Sequence, residues 1–259
     1  MALKYKALEK DNNMADCTIA IPARIASTRL PRKMLADLCG KPVIQHVIER
    51  VKRVRNCQHL CIVTDSEEIV KVSEQLGIKA YLTSPACRSG SERIASILNK
   101  LPGDWIFNVQ GDEPFVDSQV LESLLDLTKH TQADILTPIF KIKSSEDVFN
   151  PNVVKVVLDQ KSNALYFSRS PIPFVRDCDH ADWLKKYTFW GHIGIYGYRR
   201  DVLERYAQLA PSPLESAESL EQLRFLSNQY RIETYQCDYR PVAIDTMADL
   251  ERARTLMSA

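Results

Sequence analysis

The chain has 259 residues, a formal net charge of +1 and a hydrophobic fraction of 45%. A chain of this length and composition buries a full hydrophobic core. Its near-neutral charge gives no general attraction to polyanions, so we expect no nucleic-acid partner. Residues 1–16 are polar and mixed in charge, without an apolar run long enough for a signal peptide or a spanning helix. We therefore expect a disordered leader over residues 1–16 and no membrane partner. We predict a single domain over residues 17–259.

The seven cysteines favour a reduced, cytoplasmic protein. Their number is odd, and Cys57 and Cys61 have no matching second pair that would suggest a zinc site. Most of the cysteines lie in apolar runs, as reduced core cysteines do.

Short apolar strands alternate with amphipathic helices along the chain. Strands are predicted at residues 60–63, 79–83, 105–107, 133–142, 153–158, 165–168, 232–236 and 242–244. Helices are predicted after Pro42, from Asp65 to Gly77, and at residues 91–102, 118–130, 214–228 and 246–257. Asp65 and Glu68 have the spacing of a capping box. The alternation predicts an α/β fold with a mostly parallel, Rossmann-like sheet and helices on both faces.

The regular alternation weakens after residue 142. Two strands flank the turn-like residues 159–163, which predicts a hairpin. We place it in an insertion at about residues 150–200 that serves substrate binding and dimer contact. Residues 183–190 are rich in aromatic side chains and show no helix or strand periodicity. They could form either a lid or an interface.

The loop at residues 21–33 follows a short apolar strand and carries Arg24, Arg29 and Lys33. Guanidinium forks, an ammonium group and the hydroxyls of Ser27 and Thr28 are suited to the oxygens of a triphosphate. A solvated basic loop is the alternative, because a run of charge alone usually means only that.

A second polar loop, NVQGDEP at residues 108–114, follows the apolar run 105–107. In an open α/β sheet, ligands bind where the strands end, so Asp112 is placed to hold a divalent cation against phosphate oxygens. Gly, Asp and Pro are also ordinary turn residues, which is the alternative interpretation of this loop.

Further motifs spread over residues 18–256 accompany these two loops. They include IPAR at 21–24, STRLP at 27–31, GKP at 40–42, SGSER at 89–93, NPN at 150–152, LYFSR at 165–169, HIGIYGY at 192–198, LEQLR at 220–224 and DT at 245–246. With these motifs the chain resembles the 3-deoxy-manno-octulosonate (Kdo) cytidylyltransferases, also called CMP-Kdo synthetases. The early motifs are shared with other sugar-acid cytidylyltransferases, and the later ones are more specific to Kdo enzymes.

The resemblance implies a homodimeric nucleotidyltransferase that transfers CMP from CTP to the anomeric hydroxyl of Kdo. The products would be pyrophosphate and CMP-Kdo for lipopolysaccharide biosynthesis. The implied catalytic residues are Lys33, Asp112 and Asp245, with both aspartates binding Mg²⁺ as the cofactor. The implied nucleotide-binding residues are Arg24, Ser27, Arg29, Lys33, Ser89, Gly90 and Gln110.

The resemblance also implies a sugar-binding set. Its members are Arg169, His192, Tyr196, Glu221 and Gln222. A carboxylic acid rich in hydroxyls needs at least one cation and several fixed hydrogen-bonding groups. Ordinary structural roles are the alternatives: a surface position for Arg169, core packing for His192 and Tyr196, and a helix-surface ion pair of Glu221 with Arg224.

Two departures from the family pattern bear on function. Arg32 stands where relatives usually have glycine, and an additional cation there either grips phosphate or crowds a tight turn. We favour the first interpretation. Residues 239–244 also replace the usual glycine-containing approach to Asp245. Two other functions therefore stay open: a cytidylyltransferase for a related acid sugar, such as an 8-amino analogue of Kdo or a sialic-type acid, and a non-catalytic nucleotide-binding relative.

Overall fold

Parallel pairing of buried strands builds the centre of the molecule. The computed structural model describes residues 15–258, and ten of the strands form one sheet in the order β5-β4-β1-β6-β11-β7-β10-β8-β9, with β12 paired to β7. Its strands are β1 (Cys17–Ala23), β4 (His59–Thr64), β5 (Lys79–Leu82), β6 (Trp105–Asn108), β7 (Ile135–Lys141), β8 (Lys155–Leu158), β9 (Ala164–Ser168), β10 (Trp190–His192), β11 (Tyr196–Arg199) and β12 (Ile232–Cys237). A separate ribbon joins β2 (Asp37–Leu38) to β3 (Lys41–Pro42).

The strand directions define a mostly parallel sheet. Strands β5, β4, β1 and β6 run parallel, as do β12 and β7. Strand β11 lies antiparallel between β6 and β7. Strands β10, β8 and β9 extend the sheet by antiparallel pairing, so residues 150–200 are continuous with it.

Helices cover both faces of this sheet. They are α1 (Val43–Val51), α2 (Glu67–Gln75), α3 (Gly90–Ala95), α4 (Ser118–Leu127), α5 (Ser145–Phe149), α6 (Trp183–Lys186), α7 (Arg200–Tyr206), α8 (Pro213–Glu218), α9 (Gln222–Ser227) and α10 (Met247–Ser258). Along β1, Ile19 and Ile21 pack in the cluster that contains α1, α2 and α4, whereas Ala20 packs with α3, α7 and α9. Successive side chains of a strand point to opposite faces, so β1 supplies both cores. The predicted α/β fold is confirmed.

The predicted hairpin is also confirmed, because β8 and β9 pair antiparallel around residues 159–163. The aromatic stretch after residue 182 belongs in part to the core. Trp183 and Phe189 are buried, and their rings stack with centroids 5.8 Å apart. Tyr187 and Phe174 stay exposed beside them.

Three local predictions were wrong. Residues 214–228 form two helices, because Ser219 adopts a left-handed conformation with φ 51° between α8 and α9. Residues 242–244 are described and form no strand; instead the Ile244 amide donates to the Asp112 carbonyl at 2.9 Å. Helix α3 ends at Ala95, and a short 3-10 turn at Leu98–Lys100 follows it.

The expected leader lies mostly outside the described residues. Asp16, within its predicted range, is described, and its carbonyl accepts the amides of Asp104 and Trp105 at 2.7 and 3.2 Å. Over residues 15–258, no helix combines the length and apolar character that a membrane crossing requires.

A buried ion pair ties together the loops at the carboxyl edge of the sheet. The Arg93 Nη2 lies 3.0 Å from Asp65 Oδ2, and both side chains are almost fully buried. Asp65 Oδ1 also accepts the Ile25 amide at 2.9 Å, and Arg93 Nη1 donates to Thr83 Oγ1 at 2.6 Å. The predicted capping box at Asp65 was therefore wrong, since tertiary partners occupy this carboxylate and Ser66 precedes α2.

We expect Arg93→Met to lower the free energy of unfolding by about 3–5 kcal/mol, because it leaves the Asp65 carboxylate buried without its cation. Urea denaturation measures the change. Lys185→Met is the matched control, since the pair of Lys185 with Asp182 is exposed and should contribute far less to stability. Equal losses for the two variants would contradict the structural role of the buried pair.

Candidate active site at the carboxyl edge of the sheet

One cleft collects most of the residues predicted to bind nucleotide and metal. It is lined by Arg24, Ser27, Lys33, Ser89, Gly90, Gln110, Asp112 and Asp245, among others. Strand β1 ends at Ala23 and leads into the basic loop, while β6 ends at Asn108 and leads into the acidic loop. Because β1 and β6 are parallel neighbours, both loops leave the sheet at the same edge.

Lys33 joins the two aspartates at the centre of the cleft. Its Nζ lies 2.5 Å from Asp112 Oδ2 and 2.9 Å from Asp245 Oδ1. The Lys33 side chain is only 9% exposed. Burial alone would lower the pKa of Lys33, but the two carboxylates outweigh it and raise the pKa, so the ammonium stays charged. Arg29 adds a second cation, with Nη2 at 3.1 Å from Asp245 Oδ2.

Asp245 reaches the cleft because the segment before it is fixed to the acidic loop. The Ile244 amide donates to the Asp112 carbonyl, so the backbones of the two loops touch. After Asp245, the Thr246 amide donates at 3.0 Å to Oδ2 of Asp249, which lies in the first turn of α10. Leu250 of α10 is buried in a cluster with Leu38 and other residues. This packing holds the C-terminal segment on the cleft.

The donor set suits a hard divalent cation. Asp112 and Asp245 present carboxylate oxygens to one point, where the Lys33 ammonium now bridges them. Within residues 15–258 there is no group of three or more His, Cys, Asp or Glu side chains placed to hold a metal. Mg²⁺ is usually bound by one or two carboxylates, and substrate oxygens and water complete its coordination shell. Asp112 and Asp245 therefore fit that ion.

Two glycines let their segments approach Pro22 of β1 closely. A Cβ on Gly90 would lie 2.9 Å from Pro22 Cγ, and one on Gly111 would lie 3.0 Å from the Pro22 carbonyl oxygen. Cβ contacts this short are rare, so a larger residue at either position would require Pro22 to shift.

Ser89 and Gln110 form the inner wall of the cleft. Ser89 Oγ accepts the Glu92 amide at 3.1 Å and so caps α3. Gln110 Nε2 donates to Asn108 Oδ1 and to the Gly194 carbonyl, both at 3.3 Å. Arg24 is exposed at the outer side. Cys87 and Arg88 also line the cleft and were not predicted to do so. Their position next to Ser89 was the only sign of this in the sequence.

His192 and Tyr196 lie together near the start of β11. Their rings are 5.2 Å apart, and His192 Nε2 lies 3.0 Å from Thr137 Oγ1. Burial lowers the pKa of His192 to about 3, which keeps the imidazole neutral, and it raises the pKa of Tyr196, which keeps the phenol protonated. Tyr196 is paired with Asn108 across β11 and β6, so it lies beside the cleft.

Glu221 and Gln222 differ in how they are satisfied. Glu221 accepts hydrogen bonds from Ser89, Ser91 and Tyr206. The alternative pairing of Glu221 with Arg224 is wrong, because Arg224 pairs with Glu215. Gln222 is buried, and among the described residues its Nε2 has no hydrogen-bond partner.

The Arg169 guanidinium contacts backbone carbonyls. Its Nε donates to the Glu218 carbonyl at 2.8 Å, its Nη1 to Pro151 at 3.0 Å and its Nη2 to Ser219 at 3.4 Å. These contacts fasten the turn between α8 and α9 to the end of β9. Carboxylate binding by Arg169 thus stays a prediction, and it requires some of these donors to be exchanged.

The phosphate contact that we favoured for Arg32 stays a prediction, and the Arg32 side chain is engaged elsewhere. It has φ 57°, in the left-handed region, and its guanidinium pairs with Glu68 at the surface. Arg32 is not one of the described residues that line the cleft. The left-handed backbone favours glycine at this position, which explains why Arg32 was an unusual residue in the motif.

Glu113 is a buried acid that the sequence interpretation passed over. It is 5% exposed, and burial followed by the neighbouring Asp112 carboxylate raises its pKa to about 8. Its place directly after Asp112 in the GDEP motif was the only signal for it.

Comparison with known proteins agrees with this fold. The family model described as Cytidylyltransferase matches residues 18–232. The 3-deoxy-manno-octulosonate cytidylyltransferase of Francisella tularensis subsp. novicida is 44% identical over 250 residues, covering 95% of this chain and 100% of that protein. The enzyme of the same name from Geotalea uraniireducens is 42% identical over 241 residues, covering 91% and 96%.

A solved structure is similar over the same range. It is that of CMP:2-keto-3-deoxy-manno-octonic acid synthetase complexed with CTP, with a TM-score of 0.88, 39% identity, and coverage of 94% of this chain and 99% of that one. The protein is thus a nucleotidyltransferase in fold. The chain belongs to the cytidylyltransferase family and, within it, to the 3-deoxy-manno-octulosonate cytidylyltransferases.

We expect the stability of the protein to fall more steeply on acidification than that of a His192→Gln variant. The folded pKa of His192 lies below the ordinary value, so the unfolded chain binds the extra proton first as the pH falls below about 6.5. Between pH 7 and pH 5 this difference should reach about 1–2 kcal/mol. Urea denaturation at the two pH values measures it.

The control is His130→Gln, which changes an exposed histidine and should keep the pH dependence of the parent. Equal pH dependence for the parent and His192→Gln would show that His192 does not hold a neutral imidazole in the folded state.

Proposed function

We propose that this protein transfers CMP from CTP to the anomeric hydroxyl of Kdo, releasing pyrophosphate and giving the activated sugar for lipopolysaccharide assembly. Membership of the family supports the proposal. The single observation that carries it is the cleft, where Arg29 and Lys33 pair with the carboxylates of Asp112 and Asp245 and which Arg24 also lines.

The reaction is an attack of a sugar hydroxyl on the α-phosphate of CTP, with pyrophosphate as the leaving group. For such a transfer, a protein mainly positions the reactants and neutralises charge. Arg24, Ser27 and Arg29 bind the triphosphate, and Lys33 donates to the oxygens on which negative charge develops. Ser89, Gly90 and Gln110 contact the nucleoside on the inner wall of the cleft.

In this proposal Asp112 and Asp245 hold Mg²⁺ together with substrate oxygens. When bound, the ion supplies positive charge that stabilises the phosphates and polarises the reacting oxygens. With the ion held by Asp112 and Asp245, Lys33 would be available to donate to the triphosphate. The two carboxylates raise the pKa of Lys33, so its ammonium is charged for that role.

The sugar is bound, in this proposal, by Arg169, His192, Tyr196, Glu221 and Gln222. The neutral His192 imidazole and the protonated Tyr196 phenol are hydrogen-bonding groups for sugar hydroxyls. The side-chain amide of Gln222 would donate to a sugar hydroxyl as well. Among the described residues its Nε2 has no partner, and a buried donor without a hydrogen bond costs free energy. Arg169 is the cation for the sugar carboxylate.

An assay of pyrophosphate release tests this function. We expect release only when CTP, Kdo and Mg²⁺ are all present, and weak release when UTP or ATP replaces CTP. A panel with an 8-amino analogue of Kdo and a sialic acid, at fixed CTP, separates the related acid sugars. CTP binding by calorimetry without turnover of any sugar would instead identify a non-catalytic nucleotide-binding protein.

We also propose that the protein is a homodimer that associates through the segment at residues 150–200. Leu165 and Phe174 in this segment are 61% and 71% exposed, and large exposed apolar side chains often mark a protein interface. Light scattering tests this: Phe174→Glu should shift the mass from a dimer towards a monomer.

We expect Asp112→Asn to lower kcat/KM at least about a hundredfold, because the amide removes a charged ligand of the metal while preserving its shape. The pyrophosphate assay measures the loss, and thermal denaturation checks that the fold is kept. Asp238→Asn is the control, because Asp238 is exposed and has no role in the proposed chemistry. Near-normal activity of Asp112→Asn would contradict the metal assignment.

We expect Arg169→Lys to raise the KM for Kdo at least about tenfold and the KM for CTP much less, because an ammonium cannot reproduce the two-pronged contact of a guanidinium with a carboxylate. Steady-state kinetics with each substrate varied in turn measure both constants. A similar rise in both KM values, with a lower melting temperature, would show that Arg169 only braces the turn between α8 and α9.

A further inference from the structure

Three hydroxyl groups converge on the carboxylate of Glu221. Ser89 Oγ donates to Oε1 at 2.7 Å, Ser91 Oγ donates to Oε2 at 3.2 Å, and the Tyr206 hydroxyl donates to Oε1. Ser89 and Ser91 belong to the nucleotide side of the site, whereas Tyr206 ends α7. Glu221 itself stands directly before α9.

Tyr206 is held rigidly in this arrangement. Its side chain is 3% exposed, its ring stacks on Phe225 with centroids 5.5 Å apart, and the Arg224 guanidinium lies 4.8 Å from the ring centroid. Burial and the Glu221 carboxylate raise the pKa of Tyr206, so the hydroxyl remains a donor. The ring fixes the hydroxyl, and the hydroxyl fixes the carboxylate.

Ser91 connects the same carboxylate to the nucleotide cleft. It is fully buried, and its Oγ lies 3.0 Å from the Tyr198 hydroxyl and 3.3 Å from Asn108 Nδ2. Asn108 in turn accepts from Gln110, which lines the cleft. An unbroken series of hydrogen bonds therefore runs from Gln110 to Glu221.

A carboxylate has about four acceptor positions. Three of those of Glu221 are occupied, and the remaining one is on Oε2. Held this way, the carboxylate has a single orientation and can accept one more donor. A sugar hydroxyl is a donor of that kind.

We propose that Tyr206 and Ser91 are positioning residues that orient Glu221 for the hydroxyl groups of the acid sugar. The inference rests on the proposed function, because it assigns Glu221 to the sugar subsite. Neither residue needs to touch either substrate. Their effect on the reaction is exerted through Glu221.

Tyr206→Phe tests the proposal, because it removes the hydroxyl and keeps the ring against Phe225. We expect the KM for the sugar to rise about tenfold, the usual effect of losing a hydrogen bond to a charged group, while the KM for CTP changes less than about twofold. Tyr230→Phe is the matched control. The Tyr230 ring also packs against Phe225, with centroids 5.9 Å apart, so this variant should retain the kinetics of the parent.

A double-mutant cycle separates positioning from simple support of the fold. If Tyr206 acts through Glu221, Tyr206→Phe should have no further effect on kcat/KM for the sugar once Glu221→Gln is present. Additive effects of the two substitutions, or an unchanged KM for the sugar in Tyr206→Phe, would overturn the inference. An inactive parent protein would overturn the proposed function itself, so the two failures are distinguishable.

Discussion

The active site depends on one interaction, the bridge that Lys33 forms between Asp112 and Asp245. The three residues come from the loop after β1, the loop after β6 and the segment before α10. Two carboxylates so close together repel each other unless a cation lies between them. The Lys33 ammonium is that cation here, so the same charges that would bind Mg²⁺ and phosphate also hold the three segments together.

A second set of contacts gives the opposite wall of the cleft its shape. The buried pair of Asp65 and Arg93 connects the end of β4 to α3, and the Ile25 amide joins the basic loop to the same carboxylate. Glu221 is attached to this wall by hydroxyl groups. A shift of Ser89 or Ser91 would therefore also move Glu221, because both hydroxyls donate directly to its carboxylate.

Sequence patterns correctly predicted the helices and strands whose apolar residues repeat with a clear period. The predictions were wrong where contacts with residues distant in the sequence determine the local structure. The helix after Pro42 and the hairpin around residues 159–163 follow from local patterns. Asp65 was predicted to cap a helix, but its carboxylate instead accepts the Ile25 amide and pairs with Arg93. The convergence of Asp112 and Asp245, so far apart in sequence, came only from family resemblance, because no local pattern reports a contact between distant loops. The carbonyl contacts of Arg169 were hidden for the same reason.

The stability of Lys33→Met with and without Mg²⁺ tests the central claim most directly. Without Mg²⁺, the two carboxylates lose their shared cation, and the variant should be less stable than the parent by about 1–3 kcal/mol, less than for a fully buried pair. Millimolar Mg²⁺ should restore part of this loss and stabilise the variant more than the parent, because the ion can take the position of the ammonium between Asp112 and Asp245. A variant as stable as the parent, or an equal response of both proteins to Mg²⁺, would contradict the account.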